Sequence, residues 1–193
     1  MSRSQRVELQ DALVLHRRPY QNSSLLLEVY TPEFGRVGLV ARGARRNKSP
    51  WRGLLQPFTP LLLSWTGRGE LYSLIHAEES QAAFALHSQS LLCGFYLNEL
   101  LMRLSEREDP LPELFSLYQQ GLVQLSDHNP DTLEAVLRLF ELRLLALLGY
   151  ASGAAGEKFA VCRSTLLPLI LSAVRCLLCL KLKRHRSLCP TPV

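Results

Sequence analysis

The residues of this chain best suited to chemistry lie in one short stretch. "GLVARGARRNKSPWRGLLQPFTPLLLSW" (residues 38–65) hangs Arg42, Arg45, Arg46, Lys48 and Arg52 between two apolar runs, with Trp51 among them and no acid to pair with them. Cations at this density attract a polyanion through Coulomb energy and the release of condensed counterions. Arg36 precedes them, and Arg17 and Arg18 in "HRRP" (residues 16–19) would project at the end of an earlier strand and extend the same face. Tyr20, Tyr30, Phe34 and Trp51 are candidate platforms for stacked bases. The plainer reading is a solvated loop, with Trp51 plugging the structure beneath it and Arg17 paired to Glu28 or Glu33. The lack of compensating acids favours a polyanion partner.

The elements that must carry this loop are strands. Residues 9–16 form an apolar run closed by "RRPY", and "SSLLLEVYT" follows and ends at the turn "PEFG". In "RVGLVARGA", Val37, Leu39 and Ala41 alternate with Arg36, Gly38, Val40 and Arg42, as a half-buried strand requires. "LLQPFTPLLLSWT" is a fourth run, bent or at an edge because Pro57 and Pro60 interrupt it. After the turn signal "GRG", "ELYSLIHA" is a fifth. Five short strands without interleaved helices predict a small β-barrel.

Beyond Glu79 the period changes. Leu91, Leu92, Phe95, Leu100, Leu101 and Leu104 predict a helix over 88–106, and a second follows over 111–125. "NPDTLEAVLRLFELRLLALLG" predicts a third, capped by Asn129 or Asp131 and stopped by Gly149. Its apolar face is Leu133, Val136, Leu137, Phe140, Leu144, Leu147 and Leu148. The expected fold is α+β: a five-stranded barrel over 1–80, an all-α domain over 81–150, and an atypical basic, cysteine-containing tail over 151–193.

Charge follows these divisions. Residues 1–52 carry ten Lys/Arg against four acids, residues 53–150 five against twelve, and residues 151–193 seven against one. Such a layout points to modules with different partners. Of 193 residues, 47% are hydrophobic and 20% charged, enough for a globular core. Five scattered cysteines, Cys93, Cys162, Cys176, Cys179 and Cys189, argue against a secreted disulfide framework. The most apolar window, residues 166–180, is short for a membrane span and holds Pro168 and Arg175. A cytosolic location is expected, and no cofactor.

Other constellations carry less. Cys176 and Cys179 form a lone CxxC that could be grouped on paper with Cys162, His185 and Cys189, but leucines fill the knuckle, so no metal site is expected. Glu106, Glu108 and Asp109 read as a solvated helix end. No phosphate-cradling loop, HExxH or GxSxG occurs, so no catalytic residues are assigned. Arg138 and Arg143 stand on the third helix. The plainer reading pairs Arg138 with Glu134; the sharper one has an arginine beside apolar side chains capturing an acidic, aromatic-ending peptide.

The stretches "LVLHRRPYQNSSLLLEVYTPEFGRVGLVARGARRNKSPWRGLLQPFTPLLLSWTGRGEL", "GFYLNELLMRL" and "RLFELRLLALLGY" resemble the bacterial recombination mediator family RecO. "GRVGLVARGARR" and "LQPFTPLLL" are its most specific parts. The resemblance implies an oligonucleotide-binding (OB-type) barrel followed by a helical domain. It implies binding of single- and double-stranded DNA, annealing of complementary strands, and action with RecR to let RecA load. It also implies contact with the C-terminal tail of single-strand binding protein, placed on the helical lobe where Arg138 falls, and a nucleoid-associated role. DNA contacts are then expected at Arg17, Arg18, Arg36, Arg42, Arg45, Arg46, Lys48, Trp51 and Arg52. After Tyr150 the sequence does not resemble the family's C-terminal part, which in some members holds a four-cysteine zinc site, and is expected to be a truncated or frame-shifted ending. The alternatives are a general RNA- or ribosome-associated barrel protein and a membrane-surface adaptor using the basic residues 181–186; no membrane contact is expected.

Overall fold

The computed structural model describes residues 5–127 and 132–150. The chain divides into two units, Met1–Leu144 and Leu145–Val193. The expectations for residues 151–193, for the caps Asn129 and Asp131, and for the tail cysteines lie outside the described residues.

Five strands form a closed barrel: β1 (Gln5–Tyr20), β2 (Ser24–Thr31), β3 (Gly35–Ala41), β4 (Pro60–Arg68) and β5 (Leu71–Glu79). Around the barrel they run β1-β2-β3-β5-β4, with β4 pairing back to β1. All neighbours are antiparallel except β3 and β5, which run parallel. Alternation sends Val37, Leu39 and Ala41 inward, where they join Val14, Leu27, Val29, Leu61, Leu63 and Trp65 in one buried cluster.

The first strand is longer than expected. "RRPY" does not close it but continues it, with Arg17 opposite Leu27, Arg18 opposite Leu26 and Tyr20 opposite Ser24. β1 can be this long because it borders β2 with its last half and β4 with its first, bending at bulges near residues 8–9 and 15. At the first bulge Leu9 takes φ 48 and its N–H turns to Ser64 Oγ, 2.9 Å away. The fourth run begins as a strand only at Pro60, where the missing N–H costs no ladder bond.

Three helices follow, α1 (Ser88–Leu104), α2 (Pro112–Ser126) and α3 (Leu133–Leu147). In α1, Ser90 Oγ accepts the His87 N–H at 3.0 Å, and Pro112 opens α2 where its lack of a donor is harmless. The apolar face expected for α1 is partly displaced. Leu92 and Phe95 are about half exposed, while Cys93, Tyr96, Leu97 and Asn98 are buried. The displacement has a polar cause: buried Asn98 donates through Nδ2 to the Leu15 carbonyl at 2.8 Å and accepts from the Tyr118 hydroxyl through Oδ1. One amide therefore ties β1, α1 and α2 together, and its requirements orient the helix. In α3, Leu133, Val136, Phe140 and Leu144 are buried as expected, but so is Glu141.

The link from α1 to α2 lies along β3. Arg36 Nε and Nη2 donate to the Ser105 carbonyl at 3.3 and 3.0 Å, and the Glu108 N–H reaches the Arg36 carbonyl at 3.1 Å. Beneath the link is Glu28 of β2, 8% exposed, in ion pairs with Arg36 and Arg107. The Arg36 contact is 3.5 Å, a charge pair without hydrogen-bond geometry. Tyr72 donates to Glu108 Oε1 at 2.8 Å. Glu106, Glu108 and Asp109 are exposed, as expected of a solvated stretch, but the link that carries them is also the strap that seats the helices, through its backbone, Arg107 and the Tyr72–Glu108 bond. Gly35 makes room for it. It holds φ +63, and a Cβ there would stand 2.1 Å from the Asp109 carbonyl oxygen.

Substituting Glu28→Gln should lower unfolding free energy by roughly 1.5–3 kcal/mol, the scale of a hydrogen bond to a charged group. Urea denaturation reads this, and a midpoint equal to that of the parent chain would remove Glu28 from its role.

Candidate nucleic-acid interface

The loop between β3 and β4, residues 42–59, has no regular secondary structure but is firmly attached. Ala44 and Leu55 are buried in the barrel cluster, and Trp51 and Leu54 pack against it. The Arg45 N–H donates to the Ser23 carbonyl at 2.9 Å, which brings the loop beside the β1–β2 turn. Successive turn bonds, Arg46 N–H to Gly43 O, Ser49 N–H to Arg46 O and Arg52 N–H to Ser49 O, keep the intervening residues on the surface. Arg42, Arg45, Arg46, Lys48 and Arg52 are all exposed.

Strand alternation divides the earlier arginines. Arg17 stands opposite the core residue Leu27, so it is on the inner side of the wall, where it leaves the barrel end and donates through Nη1 to the Leu55 carbonyl at 3.4 Å. It meets the loop there, not Glu28 or Glu33. Arg18, opposite Leu26, is on the outer side, and both arginines are exposed. Among the described residues, the ion pairs are those of Arg6, Arg36, His76, Arg103, Arg107 and Arg138; none involves Arg17, Arg18 or the loop cations. Arg52 bonds the neutral Asn47 side chain at 3.2 Å. The barrel thus presents at one end a surface of cations without countercharge, whose potential attracts polyanions.

One expected member leaves this surface and another is partly withdrawn from it. Arg36 is committed to Ser105 and Glu28, with its side chain 14% exposed. Trp51 belongs to the packing beneath the loop. The aromatic platforms are also redirected. Tyr30 is fully buried and stacks on Phe115 of α2 at 6.4 Å. Phe34 meets Trp65 edge-on at 5.4 Å. Tyr20 is half-buried at the β1–β2 turn.

On the helical side, Arg138 pairs with Glu141, three residues on, at 2.8 Å, not with Glu134. Glu141 also accepts from the Tyr96 hydroxyl at 2.7 Å, and the carboxylate raises the pKa of the Arg138 guanidinium, holding it charged. A shallow groove between α2 and α3 is lined by Leu117, Val136, Leu139 and Phe140, and the arginine at its edge is Arg143. Sequence reasoning passed over Glu141, though a glutamate three residues after an arginine on a helix was a visible pairing signal.

A closed five-stranded barrel in this order, with an uncompensated cationic end and helices packed on its wall, defines an OB-type barrel protein. The family description "Recombination protein O N terminal" matches residues 5–82, and "Recombination protein O C terminal" matches residues 88–183. The chain belongs to the Recombination protein O family. It is 54% identical over 145 residues to DNA repair protein RecO of Nitrosococcus oceani, covering 75% of this chain and 58% of that protein. It is 56% identical to DNA repair protein RecO of Alkalilimnicola ehrlichii, covering 75% and 56%, and 45% identical to that of Chromobacterium violaceum, covering 87% and 71%. The chain spans somewhat under three-fifths of the length of the first two. The C-terminal family match reaches residue 183, beyond Tyr150, whereas the alignments with the first two of these relatives cover 145 residues of this chain.

Burial and the nearby Asp109 carboxylate push the Tyr30 hydroxyl up to about 12 from an ordinary 10.0. It has no hydrogen-bond partner among the described residues. A proton held more tightly in the folded state gives stability that is full below pH 10 and lost as pH rises toward 12. Tyr30→Phe should therefore be neutral or stabilising by about 1 kcal/mol at neutral pH, since it removes an unmatched buried hydroxyl. It should also reduce the alkaline loss. Denaturant titrations at neutral pH and at pH 11 test both, and an unchanged alkaline slope in the variant would contradict the assignment.

Proposed function

We propose that this chain is a non-enzymatic, DNA-binding, strand-annealing mediator of recombinational repair. The observation that carries this reading is the cationic end of the barrel: Arg17, Arg18, Arg42, Arg45, Arg46, Lys48 and Arg52, exposed and without acidic partners among the described residues. The names of its relatives support it. In this reading single- and double-stranded DNA bind the barrel end. The protein works with RecR and single-strand binding protein to promote RecA loading, in the cytoplasm at the nucleoid. No described helix is long and apolar enough to cross a membrane.

Phosphate contacts release counterions, so affinity falls with salt in proportion to their number. Reversing Arg45, Arg46 and Lys48 to glutamate should weaken binding to all sequences and reduce the salt slope by roughly one unit per lost contact. Anisotropy titrations over a salt series read both numbers. Unchanged low-salt affinity in the triple variant would reject the assignment. Tight binding to folded RNA, with no annealing of DNA coated by single-strand binding protein, would favour an RNA partner instead.

For the binding-protein tail, the proposed anchor is Arg138, whose guanidinium could fork a terminal carboxylate while leucines take the terminal ring. Arg138→Ala should weaken a labelled tail peptide by roughly 1–3 kcal/mol and leave oligonucleotide binding nearly unchanged. Equal peptide affinity in a folded Arg138→Ala variant, with loss in Arg143→Ala, would move the anchor to the groove edge.

A further inference from the structure

Single-strand sites on barrels of this type usually combine cations with exposed rings on which bases stack. Here the two ingredients are separated. The cations are on the surface, and the rings are inside. Trp65 is 1% exposed, Tyr30 0%, Tyr72 7% and Phe58 5%. Phe34 and Trp51 pack against the core cluster. Among the described barrel residues, the large hydrophobic side chains that stand exposed are Leu9, Leu71 and Ile75, none of them aromatic. Tyr20, half-buried, and Trp51 are the rings left with partial surface near the cations.

We propose that the cationic end holds a strand by its phosphates alone and leaves the bases unstacked on protein, facing outward and able to pair. The ligand class is a phosphodiester backbone, read without regard to the bases it carries. This inference rests on the strand-binding reading of the same surface. Guanidinium groups supply planar forks for phosphate oxygens, and Lys48 supplies a point charge. Because the loop is pegged by Ala44 and Leu55, the cations are held in place at the surface, with Trp51 turned against the core cluster. A strand gripped this way is already in the condition that annealing requires, because its pairing edges are not occupied by the protein.

The test uses the full chain with two labelled strands of equal length and charge, an oligothymidylate and its abasic counterpart, over a salt series. The two should bind within about twofold of each other with the same salt slope, because the phosphates are identical. Thymines in the bound complex should stay reactive to permanganate. Tyr20→Leu and Trp51→Leu, which keep apolar volume, should preserve affinity. An abasic strand weaker by roughly tenfold or more, the effect of losing base stacking, would overturn the proposal, as would protected thymines. If neither strand binds with a salt-dependent affinity, the strand-binding reading itself has failed and this inference falls with it. Salt-dependent binding with loss on the abasic strand defeats the inference alone.

Discussion

The arrangement of barrel and helices depends on one buried carboxylate. Glu28 sits on the outer wall of β2, 8% exposed, where an unpaired charge would be costly. Two arginines answer it, Arg36 from the next strand and Arg107 from the link between α1 and α2. Much else follows from that requirement. Arg36 must turn away from the basic surface. The link must pass close along β3, which requires glycine at position 35. Once the link is seated, α1 and α2 have their place: Phe115 covers Tyr30, and Asn98 reaches the Leu15 carbonyl.

The same pairing keeps the charges of the chain apart. The acidic stretch of the helical region includes Glu106, Glu108 and Asp109, which would repel a phosphate backbone if they lay near the loop. The strap instead runs beside Gly35 at the start of β3, while the loop leaves from Ala41 at its end. Tyr72 takes up Glu108 on the strap side. Attraction and repulsion for a polyanion thus fall at opposite ends of one strand.

The barrel was largely legible because its signals are local. Alternation in β3, the glycine turn before β5 and the proline at the head of β4 each state their role within a few residues. The basic loop was legible for the same reason, since charge near a turn is exposed by default. What could not be read were pairings distant in sequence. Arg36 looked like its neighbours Arg42 and Arg45; only the contact with Ser105, 69 positions away, removes it. Leu92 and Phe95 fitted a helical stripe as well as Cys93 and Leu97 do. The polar anchor Asn98, whose bonds reach β1 and α2, decides between the faces. The Arg138–Glu141 pair lay within reach of sequence, but Glu134 at four residues was an equally good partner on paper.

The fate of the aromatic residues has a geometric explanation. A barrel of five strands encloses a narrow interior that must be filled to near crystal density. Trp65 and Tyr72 contribute to that filling, with Phe34 edge-on against the tryptophan. The outer wall of β2 also needs a large ring, because α2 approaches it there, and Tyr30 supplies it. Trp51 then covers the end from which the basic loop departs. Each of these rings removes apolar area from water, worth roughly 25 cal/mol per Å². Moving one outward would open a cavity as well as expose a ring. Cations face no such demand, since their favourable place is already in solvent. A small barrel can therefore add phosphate-binding charge at its rim at little cost to its core, whereas a stacking platform competes with the packing that holds the barrel closed.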